Sequence, residues 1–116
     1  MEFKHEFPDF ERRKGESSRL LARYPGKIPV IVEPVKNDPV LELGHNKFLV
    51  PTHYSFHELL FQVRKRFNVP AMTAVYVLVG NQQMPTMARI LKDIYSEYAD
   101  PDGFLYIQCS TEQVWG

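Results

Sequence analysis

The stretch Lys47-Phe48-Leu49-Val50-Pro51 decides the fold that we expect for this chain. Its three central residues are strong strand formers, and they place apolar side chains on both faces of a strand. Pro51 ends the strand, because proline lacks a ladder donor and is confined to sheet edges, strand ends and bulges. Lys47 is a charge of the kind that protects an open edge. The stretch therefore predicts a short edge strand, either an ordinary hairpin strand or a docking site to which an extended peptide adds as a further strand.

The hairpin partner of this strand is predicted over residues 28–35, immediately upstream of a turn-rich connection. One of its faces carries three aliphatic side chains, and the other carries Pro29 and Ile31 where water would normally be. Something must therefore cover the second face. The helices predicted over residues 1–7 and 10–23 are the natural lid, and a gap beneath that lid would form a pocket.

Downstream of the hairpin, Ser55 and Glu58 form a capping box that begins a helix. A buried strand is predicted over residues 74–79, then a last helix capped by Thr86, and a final strand over residues 104–109. Two helices, a hairpin, and then helix, strand, helix and strand predict an α+β fold in which a helix packs across a mixed sheet.

Composition restricts the class of protein. The chain has 116 residues, 44% hydrophobic and 24% charged, which is ordinary for one globular domain. Its net charge of zero gives no sign of nucleic-acid binding. The single cysteine, Cys109, excludes an internal disulfide and fits a reducing compartment. No apolar run approaches the ~20 residues of a membrane span, and Lys4, His5 and Glu6 interrupt any signal peptide, so a cytosolic or nuclear protein is expected.

No group of residues predicts catalysis, a metal site or a cofactor. Alternation in the last strand places Cys109 on the core face, as a structural thiol. His53 and His57 are four residues apart, but the cap at Ser55 leaves His53 outside the helix, which argues against a metal site. Turn chemistry explains Asp100 and Asp102. We expect that the chain is not an enzyme.

Two basic runs, Arg12-Arg13-Lys14 and Arg64-Lys65-Arg66, stand on predicted helices. They are either solvated helix faces or surfaces that attract acidic partners or anionic lipid headgroups. Since the net charge is zero, acidic residues elsewhere must balance them.

Several stretches together resemble one protein family. They occur in the order Tyr24-Pro25, Ile28-Pro29-Val30-Ile31-Val32-Glu33, Lys47-Phe48-Leu49-Val50-Pro51, Arg64-Lys65-Arg66 and Asp102-Gly103-Phe104-Leu105-Tyr106-Ile107, with a short tail to a terminal glycine. In this order they resemble the autophagy-related ubiquitin-like modifiers, the GABARAP and microtubule-associated light-chain-three family. The resemblance covers nearly the whole chain. It implies a ubiquitin-like β-grasp with two additional N-terminal helices, divided into a helical extension (1–26), a ubiquitin-like core (27–109) and a flexible tail (110–116).

The resemblance implies a conjugation site at Gly116. A cysteine protease would expose this glycine, activating and conjugating enzymes would carry it as a thioester, and it would end as an amide on phosphatidylethanolamine. Glycine lacks a Cβ, so an enzyme's active site can close around its carboxylate. Two acyl chains would then anchor a cytoplasmic protein, monomeric before conjugation, to autophagosomal or vesicle membranes.

The resemblance also implies a docking site for aromatic-x-x-aliphatic peptide motifs of cargo receptors and autophagy proteins. The aromatic pocket would be formed by Glu16, Leu20, Pro29, Ile31, Lys47, Leu49 and Phe104. The aliphatic pocket would be formed by Phe48, Val50, Pro51, Tyr54, Leu59, Gln62 and Val63. Acidic residues flanking the motif would meet Lys27, Lys47 and Arg66.

The chain departs from the family pattern at a few positions. Trp115 stands where the family usually has Phe or Tyr, which affects recognition by the processing protease. Gln62 is polar in a pocket that is usually apolar, and Lys27 replaces a common arginine, so a bidentate fork is lost. Residues 84–87 differ from the usual loop. The alternative function is an unconjugated β-grasp module that binds peptides or serves as a trafficking adaptor.

Overall fold

The computed structural model describes residues 2–42, 46–80 and 86–112 of the chain. Its elements follow the predicted order, and the α+β fold class is confirmed. They are α1 (Glu2–Glu6), α2 (Phe10–Arg23), β1 (Lys27–Pro34), β2 (Asn46–Pro51), α3 (Phe56–Arg66), β3 (Tyr76–Val79), α4 (Leu91–Tyr98) and β4 (Leu105–Ser110). Gly116, Trp115 and residues 84 and 85, which the sequence singled out, lie outside the described residues.

The four strands form one mixed sheet in the order β2-β1-β4-β3. β1 pairs with β2 antiparallel, with Ile28 opposite Val50, and with β4 parallel, with Val30 opposite Leu105. β3 completes the sheet as an antiparallel neighbour of β4. The predicted hairpin and the edge position of the stretch that ends at Pro51 are therefore confirmed.

One face of the sheet carries the larger core, against α3 and α4. Val30 and Val32 from β1 and Ile107 and Cys109 from β4 have no exposed surface and belong to this core. The alternation expected for both central strands is confirmed, and Cys109 is buried as predicted. Because β1 and β4 lie in the middle of the sheet, their opposite faces need a second cover.

The two N-terminal helices provide that cover. Phe3 of α1 packs with Ile31, Phe104 and Tyr106, and its ring centroid lies 5.2 Å from that of Phe104. The Phe3 N–H donates a 2.7 Å hydrogen bond to Glu33 Oε2, which fixes α1 on the sheet. The predicted lid is confirmed, and it leaves no pocket around these described residues. Among the described residues, Phe3, Ile31 and Phe104 have no exposed surface, because the Phe3 ring fills that space.

The two buried side chains of α2 are polar, although Leu20 also packs against the cluster around Phe3. Arg13 and Ser17 are buried, whereas Leu20 and Leu21 are half-exposed. Arg13 Nε donates to Asp102 Oδ2 at 2.9 Å, and the Ser17 hydroxyl donates to the Asp102 carbonyl at 2.6 Å. Arg13 therefore does not belong to a solvated basic face, because the turn before β4 presents it with a buried carboxylate.

The two remaining helices begin in different ways. The capping box of α3 is confirmed, because the Glu58 N–H donates to Ser55 Oγ at 3.2 Å and the Ser55 N–H donates to Glu58 Oε1 at 3.1 Å. The prediction that Thr86 caps α4 is wrong: Ile90 is the N-cap and its side chain accepts no capping hydrogen bond. The first amides of α4 donate instead to backbone carbonyls of the segment after β2, as Leu91 does to Tyr54 at 2.8 Å. These tertiary bonds satisfy the helix terminus without a side-chain cap.

Candidate functional site

A groove of about 500 Å³ lies between β2 and α3. It gathers most of β2 with residues from the start of β1, the segment after β2 and the outer side of α3. The lining residues are Lys27, Lys47, Phe48, Leu49, Val50, Pro51, Tyr54, Gln62, Lys65 and Arg66. This set includes the three residues predicted to contact acidic flanks and five of the seven predicted for the aliphatic pocket.

The strand beside the groove has an open side. β2 stands at the end of the strand order, and within the described residues its only strand partner is β1. An edge strand of this kind offers N–H and C=O groups to an incoming strand. Phe48 and Leu49 are half-buried next to this edge, so apolar surface and main-chain groups occur together.

The groove is cationic. Lys27, Lys47, Lys65 and Arg66 line it, and none of its described lining residues is acidic. The Arg66 guanidinium carbon lies 4.4 Å from the centroid of the Phe48 ring, which keeps this charge beside the apolar floor. Lys65 was not among the predicted site residues. It belongs to the basic run at the end of α3, which the sequence analysis noted as a possible surface for acidic partners.

Arg64, the first residue of that run, has a different role. Its guanidinium donates to the carbonyl oxygen of Thr73 at 2.7 Å and to that of Pro70 at 2.9 Å. It therefore holds the segment after α3 in place. The sequence could not separate Arg64 from its neighbours, because the two carbonyl groups approach only in the folded chain.

Two residues predicted for the aliphatic pocket lie behind the groove. Leu59 and Val63 have no exposed surface and belong to the larger core. Phe48 and Tyr54, which do line the groove, pack against that core. Leu59 and Val63 thus support the floor of the groove and do not line it in this structure.

The residues predicted for the aromatic pocket are not brought together as an open cavity. Pro29, Ile31 and Phe104 are buried, and the side chains of Lys47 and Glu16 form an ion pair between β2 and α2. Lys47 Nζ also lies 5.6 Å from the centroid of the Phe3 ring. Phe3 was not among the predicted site residues. It could have been found from the sequence, because it is an apolar residue on a helix that was expected to cover the sheet.

A second cavity, of about 360 Å³, lies beside the ion pair of Lys47 and Glu16. Its other lining residues are Phe7, Arg12, Arg13 and Arg19. The aromatic side chain of a bound ligand that approached Ile31 and Phe104 through this cavity would therefore have to pass the ion pair of Lys47 and Glu16.

The thiol of Cys109, a group that acts as a nucleophile in some enzymes, is buried in the core of this fold. Burial raises the pKa of Cys109 to about 12, and the nearby charge of Asp38 adds to the effect, so the thiolate is scarce at neutral pH. In the described residues, no three His, Cys, Asp or Glu side chains are placed to hold a metal ion. Within the same residues, no helix is long and apolar enough to cross a membrane.

Comparison with known proteins gives one consistent result. Residues 12–116 match the family model described as autophagy protein Atg8 ubiquitin like. The chain is 39% identical over 115 residues to autophagy-related protein 8 of Pichia angusta, covering 99% of this chain and 90% of that protein. It is 40% identical over 114 residues to autophagy-related protein 8d of Arabidopsis thaliana, covering 98% and 93%. The crystal structure of Trypanosoma brucei ATG8 aligns with a TM-score of 0.80 at 35% identity, over 88% of this chain and 87% of that one.

Proposed function

Since the chain belongs to the Atg8 family of ubiquitin-like autophagy proteins, we propose that it is conjugated through Gly116 to phosphatidylethanolamine and displays a peptide-docking site on autophagosomal membranes. In this role it is a modifier and a receptor, and other proteins catalyse its processing and conjugation. Those proteins are a cysteine protease, an activating enzyme and a conjugating enzyme.

The observation that carries the docking role is the cationic groove along the open edge of β2. An extended peptide adds to β2 through main-chain hydrogen bonds, and its aliphatic side chain lies against Phe48, Val50 and Tyr54. Acidic residues next to the motif meet Lys27 and Arg66. Short peptides bury little area, so micromolar affinity is expected, at about −8 kcal/mol.

The aromatic side chain of the motif enters beside Lys47. In the structure this entrance is occupied by the ion pair with Glu16, and Ile31 and Phe104 lie beneath the Phe3 ring. Docking therefore includes a rearrangement in which Lys47 leaves Glu16 and the side chains around Phe3 move. Side-chain changes of this size are common when partners bind.

The docking site is tested by a calorimetric titration with an acidic Trp-x-x-Leu peptide. We expect a micromolar Kd for the wild-type chain and at least a tenfold weaker Kd for Leu49→Ala, because Leu49 lies in the groove on the edge strand. The matched control is Leu78→Ala, the same truncation on β3 at the opposite edge of the sheet. Equal affinities for the two variants would place the peptide elsewhere.

The conjugation site is tested with purified activating and conjugating enzymes and vesicles that contain phosphatidylethanolamine. We expect the wild-type chain to float with the vesicles and Gly116→Ala to remain unbound, because a methyl group obstructs an active site closed around glycine. Gly15→Ala is the control, since a Cβ at Gly15 meets no atom within 4 Å in the described structure.

The two experiments also separate the alternative function. A chain that binds the peptide but is never attached to lipid in the complete reaction is an unconjugated adaptor. A chain that is attached but binds no peptide has lost the docking role.

A further inference from the structure

A single carboxylate ties the end of β4 to the loop that follows β1. Asp38 Oδ1 accepts hydrogen bonds from the backbone N–H groups of Val40 and Leu41, each at 2.9 Å, and from the Thr111 hydroxyl at 2.8 Å. Asp38 Oδ2 accepts from the Thr111 N–H at 2.7 Å, and the Ser110 hydroxyl lies 3.2 Å from it, sharing its hydrogen with the Glu112 carbonyl at 2.6 Å. One oxygen thus serves mainly the loop, and the other serves only the chain end of β4.

This contact is strong because Asp38 is ionised. Burial raises the pKa of its carboxyl group, but the hydrogen bonds from the backbone of Leu41, Thr111 and Val40 and from the Thr111 hydroxyl outweigh burial and lower the pKa to about 2. Hydrogen bonds to a charged acceptor are roughly twice as strong as neutral ones. The loop itself is fixed on the sheet, since the Val35 N–H donates to the Cys109 carbonyl at 2.8 Å.

The position of this anchor matters because β4 leads into the C-terminal tail. β4 ends at Ser110, so Thr111 is the first residue beyond the sheet, and its amide is held by Asp38. From Thr111 the chain continues for only five residues to Gly116. A fully extended segment of that length spans at most about 18 Å, so the anchored point limits where Gly116 can reach.

We propose that Asp38 is a positioning residue for the reactions at Gly116, acting through Thr111. Its carboxylate fixes the point and direction in which the tail leaves the fold, so that each enzyme meets a tail of defined reach. This inference rests on the proposed conjugation and names a residue that supports it. Without the anchor, the last point fixed by the sheet is Ser110, which pairs with Tyr76 of β3, and Thr111 must be ordered again whenever an enzyme binds the tail.

Asp38→Asn is a variant that separates the two sides of the carboxylate. The remaining amide oxygen still accepts from Val40 and Leu41, whereas the new NH₂ group faces the Thr111 N–H, and two donors cannot bond. Asp93→Asn makes the same chemical change at an exposed position in the first turn of α4. Thr111→Val, which removes one hydroxyl contact and leaves the carboxylate, is a milder second variant.

The primary measurement is the steady-state rate of thioester formation on the activating enzyme. Ordering one freed residue predicts a loss in kcat/KM of about tenfold for Asp38→Asn. We expect most of the loss in KM, because the chemistry at Gly116 is unchanged once the tail is bound. Asp93→Asn is expected to match the wild-type chain, and Thr111→Val to fall between the two.

Two further readouts distinguish positioning from general damage. Hydrogen exchange at the Thr111 amide is expected to accelerate at least tenfold in Asp38→Asn, while the Kd of the groove peptide stays at its wild-type value. Faster exchange at Thr111 with an unchanged kcat/KM would overturn the inference, and so would parallel losses of peptide binding and thioester formation. If the wild-type chain forms no thioester, the proposed conjugation itself is overturned. This outcome is distinct from failure of the Asp38 inference, because it is observed in the chain that still has Asp38.

Discussion

At the scale of single residues, Asp102 joins α2 to the last strand, a role that its position in a turn did not predict. Its carboxylate accepts from Arg13 Nε at 2.9 Å, from the Tyr106 hydroxyl at 2.6 Å and from the Phe104 N–H at 2.9 Å. Burial, followed by the hydrogen bond to Asp102, raises the pKa of the Tyr106 phenol. Removing one partner of a buried ion pair leaves an uncompensated charge, which typically costs about 3–5 kcal/mol.

The sequence could predict the turn at residues 100–103 but not this network. Pro101 and Gly103 identify the turn from local chemistry. Arg13 and Asp102 are 89 positions apart, so nothing local distinguished Arg13 from Arg12 and Lys14. The same reason explains why the special role of Arg64 was not foreseen.

Gly103→Ala is expected to destabilise the protein by about 2–4 kcal/mol, because two costs add. Gly103 has a φ of +91°, and a Cβ there would overlap the Ser17 side chain that bonds to Asp102. Urea unfolding measures the change, with Gly15→Ala as the control that meets open space. A difference from wild type below about 0.5 kcal/mol would mean that α2 can move away at little cost.

At the scale of elements, the sequence predicted what local patterns decide. The limits of α2, the capping box of α3 and the edge position of β2 agree with the structure, since caps, proline and alternation are local signals. The start of α4 was missed because backbone carbonyls of another segment satisfy its first amides. The sequence left open whether the lid has a gap beneath it, because the depth to which Phe3 packs depends on the whole sheet face. The predicted division at residues 26 and 109 stays a prediction, as do the roles of the site residues.

Glu16→Gln is expected to strengthen binding of the acidic peptide by about twofold to fivefold. The Glu16 carboxylate competes with the peptide for Lys47, and this pair is partly exposed, so its coupling lies within the 0–1 kcal/mol of surface ion pairs. Calorimetry at low and high salt measures the gain, which should shrink as salt screens both interactions. Weaker binding by Glu16→Gln would instead show that Glu16 itself contacts the peptide.

At the scale of the whole molecule, the strand register separates the two proposed surfaces. Pro51 and Val50 lie opposite Lys27 and Ile28, at the beginning of β1. The tail departs beyond β4, whose end pairs with Pro34 at the other end of β1. At about 3.3 Å per residue, the length of β1 puts roughly 23 Å between the two ends. In a chain attached to a membrane by its tail, the Lys27 end of the groove would therefore lie at the end of the sheet opposite to the one from which the tail leaves.

The parallel pairing of β1 with β4 has a consequence for synthesis on the ribosome. The two central strands are neighbours in space but stand near opposite ends of the sequence. While the nascent chain lengthens, β1 can pair with β2 and α3 can form, but the other side of β1 stays open until β4 emerges. The sheet cannot close until β4 has left the ribosome, so until then a growing chain presents the unpaired side of β1 to chaperones.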